Sequence, residues 1–162
     1  MANFADHISQ AQKNLLFLQE INGKLSSPFW DWNVTVCYYV AVHLVNSHIA
    51  STLDQHYRKH EEVANALSPF NSLSLSKVPE EVYLAYCKLQ NYSRRSRYLI
   101  SDDMKNRSEG ANLTYDKHFK RSLVHLEKVL GYIDTQYHQN FDPTIVNCIE
   151  AKNIGLKYFK VM

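Results

Sequence analysis

The sequence predicts an all-α fold, a helical bundle of about five helices. Two observations carry that expectation. The 162 residues include only four glycines and four prolines, whereas sandwiches and barrels need a turn signal roughly every ten residues. Apolar side chains also recur at three- and four-residue spacing along several long segments, the mark of helices with one buried face. A chain of this length, 45% hydrophobic, suits one core. Residues 1–162 therefore read as a single domain ending in a tail, about 144–162, whose structure the pattern does not assign.

The first helix is expected over about Phe4 to Asn22, with Phe4, Ile8, Ala11, Leu15 and Leu18 on one stripe and Gly23 as a stop. Leu25 to Phe29 reads as a connection, after which Asp31 caps a second helix through about Thr52. In that helix Val34, Cys37, Tyr38, Ala41, Val45 and Ile49 form one apolar face, and Val36, Tyr39, Val40 and Leu44 continue around the cylinder. Such a helix is either central to the bundle or part of a dimer contact, so a homodimer is expected. A short helix over about Lys59 to Leu67 ends at Ser68-Pro69, and Asn71 to Lys77 reads as a loop. Pro79, followed by Glu80 and Glu81, starts a fourth helix that reaches about Ile100. The polar run Ser101 to Asn112 reads as a loop. The fifth helix, about Tyr115 to Gln139, has the clearest stripe, in Phe119, Leu123, Leu126, Leu130, Ile133 and Tyr137. Beyond Pro143 the residues mix helical and strand preferences.

Composition excludes several classes. The three cysteines are far apart and form no CxxC pair, so neither a disulfide framework nor a cysteine-rich zinc site is expected, and buried thiols in a reducing compartment fit better. Met1 to His7 lacks the basic-then-apolar pattern of a signal peptide, and the apolar run Val34 to Ala50 is broken by His43, Asn46 and His48. A cytoplasmic protein without membrane insertion is expected. The net charge of +2 is too small for a nucleic-acid packager but permits a local basic patch. Gly23, Gly110, Gly131 and Gly155 are too dispersed for a phosphate loop, and no serine sits in a Gly-x-Ser-x-Gly setting. No cofactor is expected.

Three groups of residues remain to carry chemistry. Ser93-Arg94-Arg95-Ser96-Arg97-Tyr98 combines guanidinium forks for phosphate with a ring on which a base can stack, which suits RNA or a nucleotide. The plainer reading is a helix C-terminus whose cations complement the dipole, with Arg97 paired to a core carboxylate. His56-Tyr57-Arg58-Lys59-His60 places two histidines four apart. The zincin pattern needs Glu after the first His, and position 57 is Tyr, so no metal site is assigned and a solvent-facing or loop-packing pair is expected. His48 falls on the main apolar stripe of its helix and reads as a hydrogen-bonded core histidine. Lys117, Arg121 and Lys128, with His125 beside them, read as the solvated back of the fifth helix.

Tyr38-Tyr39-Val40-Ala41-Val42-His43-Leu44, followed by Asn46 and Ala50, resembles the aromatic second helix of HEPN domains. Tyr86-Cys87-Lys88-Leu89-Gln90-Asn91-Tyr92, running into Ser93 to Tyr98, resembles the late helix that carries their arginine motif. The likeness spans about residues 30 to 137. It implies a helical bundle, often dimeric, in a family with many metal-independent ribonucleases whose motif places a histidine four to six residues beyond an arginine. Here the motif is absent. At those distances Arg94 meets Leu99, Ile100 or Ser101, Arg95 meets Ile100, Ser101 or Asp102, and Arg97 meets Asp102, Asp103 or Met104.

The expectation is therefore a binding or regulatory module for RNA or a nucleotide, its surface drawn from Arg94, Arg95, Arg97 and Tyr98 with Arg58 and His60. The alternatives are an atypical metal-independent endoribonuclease, with His60, Arg94 and Arg97 as catalytic candidates, and a scaffold for a protein partner.

Overall fold

A computed structural model describes residues 2–24, 29–99 and 113–162. Five helices occupy most of this length: α1 (Phe4–Lys24), α2 (Trp30–Leu53), α3 (His60–Leu67), α4 (Glu80–Tyr98) and α5 (Asp116–Tyr137). They form the all-α bundle that the periodicity predicts.

Each boundary has a local cause. The Asp6 carboxylate accepts the Asn3 amide (2.9 Å) and the Asn3 side chain accepts the Asp6 amide (3.0 Å), a reciprocal cap for α1. Gly23 does not stop that helix, which runs on through Lys24 with a Glu20–Lys24 ion pair on its last turn. Asp31 is not the cap of α2. Phe29 holds that position without a side-chain hydrogen bond, and Asp31 lies in the first turn, where its charge faces the positive end of the dipole. Glu61 and Glu62 in α3, and Glu80 and Glu81 behind Pro79 in α4, do the same. At the start of α5 the His118 ring accepts the Tyr115 amide (2.9 Å). Asp54, Leu99 and His138 end α2, α4 and α5 with φ of 50°, 55° and 53°, left-handed conformations that break each helix without glycine.

The central element is α2, packed against α1, α4 and α5. Its residues Val34, Cys37, Tyr38, Val40, Ala41, Leu44 and Ile49 are completely buried. Most of both apolar faces of α2 is thus covered within one chain, as expected of the central helix of a bundle, while Tyr39 on the second face stays exposed. The aromatic side chains that remain exposed near this seam, Phe17, Trp32 and Tyr39, border a groove of about 330 Å³ between α1 and α2. Phe119, Leu123, Leu126, Leu130 and Ile133 carry the stripe of α5 into the core.

The tail is neither helix nor open coil. Thr144–Val146 (β1) pairs in parallel with Phe159–Val161 (β2), Thr144 opposite Phe159, and a 3-10 turn at Ile149–Ala151 lies in the crossover. Side-chain amides of α1 bind this segment: Gln19 accepts the Ile145 amide (3.0 Å), and Asn22 accepts the Asn147 amide (2.5 Å) while donating to its carbonyl (3.2 Å). On α5, Asp134 receives the Tyr158 hydroxyl (2.7 Å) and the Lys157 ammonium (2.8 Å), which hold its carboxyl down to about 2. Among the described residues no helix is long and apolar enough to cross a membrane. Cys37, Cys87 and Cys148 are free thiols. The sequence-predicted loop at 101–112, and Ile100 before it, lie outside the described residues.

Candidate anion site at the junction of α2, α3 and α4

Three helices bring one titratable cluster together. His60 is the first residue of α3, Tyr38 lies near the middle of α2, and Arg97 lies in the last turn of α4. The Tyr38 hydroxyl and His60 Nδ1 are 2.8 Å apart, and the Tyr86 hydroxyl stands 3.5 Å from that of Tyr38. Arg97 is close enough to act electrostatically on both Tyr38 and His60.

The direction of these hydrogen bonds decides what His60 can offer. Tyr38 is fully buried, and burial pushes its hydroxyl above the usual phenol range, so it stays a neutral phenol. The Tyr86 hydroxyl lies at the limit of hydrogen-bond distance from its oxygen. Its one proton can go to His60 Nδ1, the nearer partner at 2.8 Å, and in that arrangement Nδ1 accepts. Partial burial and the Arg97 charge lower the His60 pKa, leaving the ring neutral near pH 7. A neutral imidazole with Nδ1 as acceptor carries its proton on Nε2. His60 is solvent-exposed overall, so this N–H serves the surface. The cluster therefore presents two donors, Nε2–H and the Arg97 guanidinium, and the complementary ligand is an oxyanion.

The remaining sequence candidates divide around this point. Arg97 has no carboxylate partner among the described residues; its Nε donates to the Ser93 carbonyl (3.3 Å) and its guanidinium lies 5.3 Å from the centre of the Tyr98 ring. That corrects the expected core ion pair. Tyr98 is 61% exposed, leaving its ring open for stacking. Arg94 is exposed on the same last turns of α4. Arg95 turns elsewhere: it is half-buried and engaged, and it borders a small cavity with His118 and Thr114. Arg58 is exposed on the connection before α3. Of the sequence candidates, the fold thus groups His60 with Arg97 rather than with Arg94 or Arg95.

His56 and His60 do not share a helical face, because α3 begins only at His60. His56 Nδ1 instead lies 3.0 Å from Nε2 of His7 on α1, and Nδ1 of His7 lies 3.2 Å from Nδ1 of His43 on α2. The sequence reading did not single out His7. Its signal was available, since position 7 falls between Phe4 and Ala11 on the apolar stripe of α1, where an imidazole needs a polar partner. His48 is the core histidine expected of it, bonded to the Tyr137 hydroxyl (2.8 Å) and the Ser76 carbonyl (3.1 Å). Lys117, Arg121 and Lys128 lie on the solvent side of α5, while His125 is half-buried with an unpartnered Nδ1. Among the described residues, no group of three or more His, Cys, Asp or Glu side chains is arranged to hold a metal ion.

Compared with known proteins, the chain significantly matches no family model, no curated protein and no solved structure.

Proposed function

We propose that this chain is a HEPN-like helical module that binds RNA or a nucleotide through phosphate, at the surface formed by His60, Arg97, Arg94 and Tyr98. One observation carries the reading: the Tyr38–His60 hydrogen bond, which makes the imidazole a donor beside a guanidinium that has no carboxylate partner among the described residues. The two groups grip a phosphate oxygen, Arg94 adds charge, and the exposed Tyr98 ring stacks on an unpaired base. Self-association belongs to the same proposal, on narrower grounds than the pattern of α2: the groove bordered by the exposed Phe17, Trp32 and Tyr39 offers a surface for a second copy.

A metal-independent ribonuclease is the second reading, favoured by the juxtaposition of His60 and Arg97. Cleavage needs a base to take the proton of the ribose 2'-hydroxyl, hence a lone pair on the outer nitrogen of His60. The Tyr38 proton supports the opposite tautomer, and binding is preferred for that reason.

The test is fluorescence anisotropy with a labelled single-stranded RNA at low and moderate salt. The chain binds, binding weakens as salt rises, and Arg94→Ala/Arg97→Ala loses affinity about tenfold or more at unchanged melting temperature, since charged hydrogen bonds contribute about 1.5 to 3 kcal/mol each. Absence of binding at low salt, or unchanged affinity in a stable double variant, would falsify the reading. Cleavage of the RNA in the presence of a chelator, lost with His60→Ala, moves the assignment to the ribonuclease.

A further inference from the structure

We propose that the His7–His43–His56 chain is a pH-operated latch, holding the connection between α2 and α3 against α1 at neutral pH and releasing it on acidification. The three rings come from three parts of the molecule: His7 from the first turns of α1, His43 from the middle of α2, and His56 from the connection that leads to His60. His7 is only 3% exposed and uses both ring nitrogens. Its ring stacks on that of His56 with centroids 5.0 Å apart. The His7–His56 hydrogen bond ties residues 55–59 to α1, while at their other end the Lys59 carbonyl accepts the Val63 amide of α3 (3.1 Å). The Tyr57 hydroxyl bonds back to Gln55 within the connection, and Lys59 pairs with Glu62 just inside α3.

Proton counting shows why the arrangement responds to pH. Two hydrogen bonds join three rings, and a neutral His7 has one N–H, so it donates across one contact and accepts across the other. A first added proton can reside on His7, which then donates from both nitrogens to neutral neighbours. Any second proton fails. If two of the three rings are imidazolium, whichever two they are, one contact sets N–H against N–H, and that bond is lost together with the repulsion of two like charges.

The surroundings oppose even the first charge. Burial, then His43 and His56, hold His7 down to about 4, and the carboxylate of Asp6, the neighbouring acidic group on α1, only partly offsets them. Burial and His56 likewise lower His43. Opening the latch frees the nitrogens to water, so acidification drives the connection away from α1. His60 follows four residues after His56, which places the latch directly before the histidine of the anion site.

Backbone 15N relaxation of the full chain, without ligand, tests this independently of any RNA binding. Order parameters of residues 55–59 are expected to fall from the range of rigid backbone, about 0.85, to below about 0.6 between pH 7.5 and pH 5, while α4 and α5 stay rigid. His7→Phe keeps the ring shape and removes both nitrogens, so those residues are mobile at both pH values. His56→Ala, on the half-buried connection and remote from the core stripe, gives the same result and serves if His7→Phe does not fold. His60→Gln retains the pH-dependent drop, separating the latch from titration at the anion site. A wild-type connection with the same order parameters at both pH values overturns the proposal, as does a pH-dependent drop that survives in either latch variant.

Discussion

His56 and His60 stand four residues apart, and each rests on a ring from another helix, yet their partners differ in one respect that governs behaviour. His56 leans on an imidazole, a ring that can itself gain or lose the bonding proton. His60 leans on the phenol of Tyr38, which burial keeps protonated. The phenol contact fixes a tautomer and holds it while pH varies. The imidazole contact has no fixed direction, and a second proton removes it. One short connection thus carries a pH-sensitive contact at one end and a pH-insensitive one at the other, from nearly the same residue types.

The contrast can be broken most strongly at His7. Its pKa lies below the unfolded value, so between about 6.5 and 4 the unfolded chain binds more protons than the folded one, and stability rises with pH. The contribution is complete above about 6.5 and is lost as pH falls towards 4. Urea denaturation across that interval should show wild-type stability falling, with at most about 3 kcal/mol of the loss due to this group. His7→Phe should flatten the profile by that amount, leaving a residual slope from His43 and His48, whose pKa values burial also lowers. An identical slope in wild type and variant would show that the chain carries no charge-linked energy.

Tyr38→Phe sharpens the other half of the comparison. The ring still fills its place in α2, but Tyr86 loses its hydroxyl neighbour and His60 loses the phenol that faces its Nδ1. A cost of about 1 to 3 kcal/mol is expected in urea midpoints. In 15N spectra the His60 ring should change from one tautomer to a mixture, with weaker RNA binding. A single, unchanged tautomer in the variant would mean that Tyr38 does not direct the imidazole.

The smallest effect belongs to Arg94→Ala. An exposed side chain on the last turns of α4 should change stability by no more than about 0.5 kcal/mol while RNA affinity falls. Equal losses of stability and affinity would count against a surface role.

Much of the scaffold was legible because long amphipathic helices declare themselves locally. The α5 stripe from Phe119 to Ile133 is buried as read, and the all-round apolar character of α2 does mark the central helix. What periodicity could not tell was which neighbour covers the second face, because that depends on how α1 and α4 pack. The tail was illegible for a different reason. Three-residue strands such as Thr144–Val146 have no readable period, and their parallel partner lies beyond a crossover. At the site, the chemistry of His60, Arg97 and Tyr98 was visible in sequence, but that Arg97 acts on His60 depends on how α3 and α4 come together in the fold. Tyr38 was read as core. The clue was a tyrosine at a stripe position, since a buried hydroxyl demands a partner that phenylalanine would not need.

The amide side chains by which α1 binds the tail have a bearing on vectorial synthesis. Asn22 and Asn147 are separated by 125 positions, and Gln19 and Ile145 by 126. A ribosome adding about 5 to 20 residues per second delivers the second asparagine on the order of ten seconds after the first. During that interval α1 can already dock on α2, but the side of α1 that β1 will meet, with Gln19 and Asn22, stands open. The nascent bundle therefore emerges with its first helix half-dressed, and β1, paired with β2, is the fastening that completes it.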